Sequence, residues 1–348
     1  MRKTELLLLL LLGLPAPASA VTIDWVPIGN PGNPADSEVM FDGTTGYGSV
    51  GYVYQIGRYE VTNTQYAEFL NTVAQTADPY QLYDPFMDRS QGFGEGSGIV
   101  RSGLPGSFTY TVDAGRENRP VNYVSVFDTM RFANWLNNGQ GSGDTETGSY
   151  TLEGGTPTPT NYTVTRNPGL GIFLPTEDEW YKAAYYDAFT TSYFDYPTGT
   201  NTPTTCALPG PTPNTANCAG QGGNEQIVGG AYTDAGAYTG SPSPYGTYDQ
   251  GGNVYDYTET LTGNAPTVGD DPPPVGPAIL RILRGSSYVD RQEDLAARFR
   301  RSVTADTNFA AQGFRVIQVV PEPGTALLVT TGMLILAGRR RRRADPEH

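Results

Sequence analysis

Asp249-Gln250-Gly251-Gly252-Asn253-Val254-Tyr255-Asp256 places two carboxylates seven residues apart around a Gly-Gly-Asn turn. Carboxylates and turn carbonyls are the oxygen donors that a hard cation such as Ca²⁺ prefers. The plainer reading is a tight turn capped by its own acids. The eight residues end a longer string that begins Ser243-Pro244-Tyr245-Gly246-Thr247-Tyr248.

The whole chain has 348 residues, enough for one large domain or two ordinary ones. Gly 43, Pro 28 and Tyr 23 point to a loop-rich fold rather than a helical bundle or a doubly wound sheet. The formal charge is −14. Without Arg2, Lys3, Glu5, Arg339 to Arg343, Asp345 and Glu347, the body holds 15 basic against 33 acidic residues, a net −18. Such a surface does not suit nucleic acid, whose phosphates need clustered Lys and Arg. The one histidine is His348, and the two cysteines are Cys206 and Cys218. The body therefore cannot build a Ser-His-Asp triad, a Cys/His zinc site or a two-histidine iron site.

Both ends read as addresses. Residues 1–20 carry Arg2 and Lys3, the apolar run Leu6 to Leu12, and the small-residue site Ala18-Ser19-Ala20. That is the pattern of a secretory signal peptide, the alternative being a short membrane anchor. The other end carries Pro321-Glu322-Pro323-Gly324, an apolar stretch from Ala326 to Gly338, and the five arginines Arg339 to Arg343. This order resembles the PEP-CTERM sorting signal of Gram-negative bacteria over residues 321–343. The resemblance implies recognition by an exosortase-type enzyme and transient membrane attachment; the alternative is an ordinary transmembrane anchor. Both readings place the body at the cell surface, in the outer envelope or in the extracellular matrix. In that setting Cys206 and Cys218 are expected to form a structural disulfide, with a redox pair as the alternative.

Three segments share one start signal. Thr62-Asn63-Thr64-Gln65, Ser125-Val126-Phe127-Asp128 and Thr176-Glu177-Asp178-Glu179 each open with Ser or Thr and carry an acid or amide three residues later. Side chain and backbone can then cap each other, and helical apolar spacing follows each start. Tyr52 to Tyr59, Leu280 to Val289 and Gly313 to Val319 read as strands. Residues 76–115 and 139–165 read as long loops or insertions, and residues 264–277 as another loop.

Six strings occur in a recognisable order. They are Gly57 to Leu70, Arg119 to Ser125, Leu174-Pro175-Thr176-Glu177-Asp178-Glu179-Trp180, the opening segment, Leu283-Arg284-Gly285-Ser286-Ser287-Tyr288, and Gly313-Phe314-Arg315-Val316. Together they resemble the formylglycine-generating enzyme (sulfatase-modifying factor) family over residues 24–318. The resemblance implies a single α+β domain with little regular secondary structure and long loops, related to the C-type-lectin fold. It implies a calcium site at Asp249 and Asp256, completed by the carbonyls of Gly252 and Val254. It also implies a second calcium site starting at Asn217, whose later aspartate falls near Val228.

Family members that make formylglycine oxidise a substrate cysteine with O₂ at two copper-holding cysteines. Those positions read Asp290 and Leu295 here. Soft thiolates select Cu(I), and neither a carboxylate nor an alkyl chain replaces them. The family's iron-dependent branch uses histidines that the body lacks. The expected function is therefore a non-catalytic, matrix-associated domain that binds an extracellular polysaccharide or protein. The alternatives are a cysteine oxidase with another site, and a structural surface protein. Tyr185, Tyr186, Tyr193, Phe194, Tyr196, Tyr245, Tyr248, Tyr255 and Tyr257 are either ligand-facing aromatics or packing residues. Arg284, Arg298, Arg300, Arg301 and Arg315 form either an anion site or internal salt bridges.

Overall fold

Each of the three Ser/Thr starts caps a helix in the computed structural model, which describes residues 20–91, 96–152, 157–159, 162–219, 232–262 and 280–320. The N-terminal reading, the sorting segment from Pro321 onward, Val228 and residues 264–277 fall outside those residues, apart from Ala20. Helix α1 (Asn63–Val73) begins at Thr62, α2 (Val126–Asn137) at Ser125 and α3 (Glu177–Tyr185) at Thr176, and all three have reciprocal capping boxes. In α3 the Thr176 amide donates to Glu179 at 2.6 Å, and the Glu179 amide returns to the Thr176 hydroxyl at 3.1 Å. Satisfying two orphan amides at once fixes where a helix starts.

In chain order the N-terminal half carries β1 (Trp25–Ile28), β2 (Tyr54–Gly57), β3 (Ile99–Ser102), β4 (Thr109–Val112) and β5 (Gly171–Phe173). After α3 come the two-residue strands β6 (Tyr186–Asp187), β7 (Ser192–Tyr193), β8 (Thr205–Cys206) and β9 (Thr215–Ala216). The longest strand follows, β10 (Tyr255–Thr262), then β11 (Leu280–Arg284), β12 (Arg301–Thr304), β13 (Gln312–Gly313) and β14 (Ile317–Val319). One sheet has the order β1-β2-β14-β5 with antiparallel neighbours. The other has the order β12-β11-β10-β13, in which only β10 and β13 run parallel. The α+β expectation holds, with three α-helices and mostly short strands and loops among the described residues.

Three expectations need correction. The stretch 76–115 is not loop throughout, because β3 and β4 form an antiparallel hairpin inside it. Gly313 to Val319 is not one strand. Gly313 pairs with Asp256 in the second sheet and Ile317 with Ile56 in the first, so the chain changes sheets over Phe314-Arg315-Val316. The strand expected over Leu280 to Val289 stops at Arg284, where Gly285 (φ 92°) and Ser286 (φ 60°) turn the chain left-handed.

The core is aromatic at its centre. Phe132 of α2 lies 5.4 Å from Phe69, 6.0 Å from Tyr66, 5.5 Å from Trp135 and 5.3 Å from Phe314, ring centre to ring centre. Edge-to-face, tilted and stacked contacts of this kind add to the stabilisation each ring gains from burial. The cluster joins α1 and α2 to the segment that changes sheets, and α3 lies against β10 and β11.

Candidate functional site

The turn that precedes β10 is held by left-handed backbone at Asp249 (φ 56°), Gly252 (φ 85°) and Asn253 (φ 59°). At Gly252 a Cβ would stand 2.2 Å from the Asn217 carbonyl oxygen, so glycine is required there on both counts. Asn253 ties the turn to four other segments. Its amide donates to the Asn217 carbonyl at 2.9 Å, and its side-chain amide to Glu60 at 3.2 Å. Its side-chain oxygen accepts from the Thr233 amide at 3.1 Å, and its carbonyl from the Tyr288 amide at 3.0 Å. Asn217 therefore packs directly on the opening segment, with its side-chain nitrogen 3.3 Å from Asn253 Oδ1.

Asp256 is the second residue of β10 and lies in its buried part. Its Oδ2 accepts from Arg315 Nε at 2.6 Å and from the Trp180 indole at 2.8 Å. Arg315 is fully buried and also donates to the carbonyls of Gly57 at 3.2 Å and Tyr248 at 3.1 Å. Asp249 accepts from the Gly236 amide at 2.5 Å. The strings that the sequence sets far apart thus meet here: Gly57 and Glu60, Trp180, Asp249 to Asp256, Gly285, and Arg315. Glu60 and Trp180 were not singled out as site residues, and Arg315 was named only for an anion site or a salt bridge; their membership of those strings was the available signal.

This cluster holds three carboxylates against one guanidinium. Burial and then the neighbouring Asp249 charge push Glu60 well above the ordinary carboxylate range. Burial lifts Asp249 to about 6. It also raises Asp256, with Arg315 opposing. Asp256 Oδ1, Glu60 Oε2 and Asn217 Oδ1 are buried and have no hydrogen-bond donor. Asp249 also lines a cavity of about 10 Å³, close to the volume that admits one water. Among the described residues, no three His, Cys, Asp or Glu side chains converge as a metal cluster. A cation here would draw on two carboxylates and on backbone oxygens. That all-oxygen set, with one buried carboxylate oxygen left without a donor, suits a hard cation.

Asp290 and Leu295 are built into the surrounding structure. The Asp290 carboxylate accepts from the Ser287 amide at 2.8 Å and the Ser287 hydroxyl at 2.5 Å. Leu295 is fully buried with Tyr196, Ala216, Cys218 and Ala296. Cys206 and Cys218 are bonded to each other at 2.02 Å and belong to the same apolar cluster. The expected disulfide is present, and no cysteine is free. Its closed loop is short, so replacing both cysteines by alanine should cost about 3 kcal/mol of folding stability. Urea unfolding of the variant measures this, and an unchanged midpoint would contradict it.

Three of the five arginines form ion pairs, while Arg298 covers the Phe41 ring at 4.8 Å. Arg284 lies 3.4 Å from Glu177, Arg300 bridges Glu177 at 2.8 Å and Asp42, and Arg315 pairs with Asp256. Most of the singled-out aromatics are packing residues. Tyr185, Tyr186, Tyr196, Tyr255 and Tyr257 are buried, while Tyr193, Phe194, Tyr245 and Tyr248 are half-buried.

Buried acids also set the response to pH. Burial raises Asp128, the cap acid of α2, from 3.8 to about 6, and raises Asp290 and Glu259 as well. An acid that holds its proton more tightly when folded stabilises most below its unfolded value and loses that contribution as pH rises through its folded value. Thermal midpoints measured in chelator should therefore be higher at pH 5 than at pH 7.5. Asp128→Asn should flatten part of the slope, and a midpoint rising toward pH 7.5 would contradict this.

A family model, the sulfatase-modifying factor enzyme 1-like domain, matches residues 49–320. Among solved structures, the fold is similar to the crystal structure of CarF, with a TM-score of 0.56 and 18% identity over 87% of this chain and 100% of that one. Weaker similarity extends to PvdO from Pseudomonas aeruginosa, with a TM-score of 0.44 and 16% identity over 86% of this chain and 92% of that one. Treponema denticola variable protein 1 gives a TM-score of 0.45 and 17% identity over 87% of this chain and 97% of that one. No curated protein matches.

Proposed function

Because the chain belongs to the sulfatase-modifying factor enzyme 1-like domain family, we propose that it keeps the family scaffold as an exported, non-catalytic domain that binds an extracellular polysaccharide or protein. The observation that carries this reading is the state of the two positions where the family resemblance puts the copper-binding cysteines. Asp290 spends its carboxylate on Ser287, and Leu295 is sealed in an apolar cluster. Neither side chain offers a thiolate, and the two cysteines present are joined to each other.

The test is incubation of the oxidised, full-length chain with a sulfatase-type cysteine peptide and added copper, followed by mass spectrometry. No loss of the thiol is expected. Conversion of the peptide cysteine to an aldehyde would establish the oxidase reading instead. Export is tested separately, by mass spectrometry of the mature protein from its host. Cleavage after Ala20 and near Pro321-Glu322-Pro323 is the expected result, and an intact chain retained in the cytoplasm would overturn it.

We also propose Ca²⁺ at the turn, held by Asp249, Asp256 and the carbonyls of Gly252 and Val254, with Asn217 packed beside them. The buried, donor-less Asp256 Oδ1 supports this. The ion would act as a brace, since it would neutralise the surplus carboxylate charge that Arg315 alone leaves. A ligand at a hundred times its dissociation constant adds about 2.7 kcal/mol to folding stability. EDTA should therefore lower the melting temperature, and Asp249→Ala, which removes the side-chain oxygen ligand, should abolish the response. An unchanged melting temperature, with no calcium found by elemental analysis, would sink the proposal.

A further inference from the structure

The two long loops that the sequence marks as insertions meet and enclose a surface cavity of about 300 Å³. It is lined by residues 73–82 from one side and 143–145 from the other. Its size is at the lower end of ligand pockets, enough for one side chain or one sugar ring. Val73, Ala77, Pro79 and Leu82 supply apolar wall, and the Tyr80 ring adds a flat face.

The polar lining is nearly all acceptor. Asp78 receives the amides of Leu82 at 2.8 Å and Tyr83 at 3.0 Å, one on each oxygen. Asp144 receives the Glu146 amide at 2.9 Å and the Thr147 hydroxyl at 2.6 Å. A carboxylate has about four acceptor positions, so each still has acceptor capacity. Neither acid forms a direct ion pair among the described residues, although Arg101 and Arg131 both act on Asp78 through space. Both guanidiniums are committed, Arg101 over the rings of Tyr83 and Phe108. Arg131 pairs with Glu146 at 2.6 Å and Asp128 at 3.8 Å, and it covers the Tyr80 ring at 4.5 Å. Thr145 lines the same cavity, is 4% exposed, and has a hydroxyl with no hydrogen-bond partner.

We propose that this cavity binds a cationic side chain, arginine or lysine, presented by a partner polypeptide. Carboxylates outside any direct ion pair and a hydroxyl without a hydrogen-bond partner match a donor-only head group. The apolar wall matches the methylene stem that carries such a head. The acidic body, net −18 without its ends, steers basic partners toward it. A neutral saccharide is the competing occupant, and it would want more donors than the Tyr80 and Thr145 hydroxyls provide.

This inference rests on the reading of the domain as a binder. Oxidation of the cysteine peptide would refute that reading, whereas the experiment below refutes only this pocket. Saturation-transfer NMR on the full chain compares N-acetylarginine amide, its uncharged isostere N-acetylcitrulline amide, and cellotetraose. The arginine derivative should bind about tenfold more tightly than the citrulline derivative, the loss expected for one charged hydrogen-bonded contact. Asp144→Asn keeps the turn's acceptor and should weaken arginine binding by a similar factor. Ala77→Trp, at an exposed wall position, should block it. Glu38→Gln, in a separate cavity beside Tyr196, should leave it unchanged. Equal binding of arginine and citrulline derivatives overturns the proposal. So does an effect of Glu38→Gln as large as that of Asp144→Asn, which would mean diffuse surface charge. Binding of cellotetraose alone, lost in Ala77→Trp, would assign the cavity to a saccharide.

Discussion

Replacing Arg315 with methionine should cost about 3–5 kcal/mol of folding stability, because it strands a buried Asp256 without its partner. The pair is 2.6 Å apart, and both side chains are buried. The same guanidinium holds the carbonyls of Gly57 and Tyr248, which would also lose a donor in the interior. Asp256→Asn should be milder, because Glu60 and Asp249 still offset the buried Arg315 charge. The double variant Arg315→Met, Asp256→Leu should recover much of the loss, because an apolar pair can replace a buried ion pair at little cost. Urea unfolding followed by tryptophan emission reads all three, with Trp180 reporting from beside Asp256. A single-variant cost below about 1 kcal/mol, the range of exposed pairs, would show that burial does not strengthen this pair.

Phe132→Ala should destabilise by a similar amount, about 3–5 kcal/mol, through lost burial plus the cavity left behind. The ring is fully buried and touches four other aromatics from α1, α2 and the sheet-changing segment. Those neighbours are themselves rigid, so the gap cannot close easily. Phe132→Leu should cost less, since it keeps part of the volume. Calorimetric melting of the two variants is the measurement. Equal losses for alanine and leucine would indicate that the aromatic contacts, rather than the cavity, dominate.

The helices were legible because their signals are local. Thr62, Ser125 and Thr176 each need only a partner three residues on, and the sequence displays both members. The disulfide was legible because two cysteines admit one pairing. The sheet-changing break at Phe314 to Val316 was not legible. Its apolar pattern is that of a strand, and only the tertiary structure shows that its two ends pair with different sheets. The β3–β4 hairpin was hidden for the opposite reason. Its surroundings are rich in glycine and serine, and only Ile99 and Tyr110 among its residues are buried, so the alternation is weak. Asp249 and Asp256 were recognised from their spacing. Their buried partners Glu60, Trp180 and Arg315 lie up to 196 residues away in sequence from the turn, so only their place in the recognised strings, and no local spacing, pointed to them. The cavity between residues 73–82 and 143–145 was equally invisible, because its walls come from two stretches that share no motif.

The order β1-β2-β14-β5 has a consequence for how the chain acquires its shape over time. Strand β14 lies between strands made much earlier, and it is the last described element. A chain that emerges from its N-terminus cannot finish this sheet until Val319 is free. Until then β2 and β5 each keep an unpaired edge open to wrong partners. Loop-closure entropy over so long a separation makes the final pairing slow. Maturation is thus a closing event, in which the C-terminal strand acts as a keystone, and fragments ending before Ile317 should aggregate rather than persist as stable partial domains.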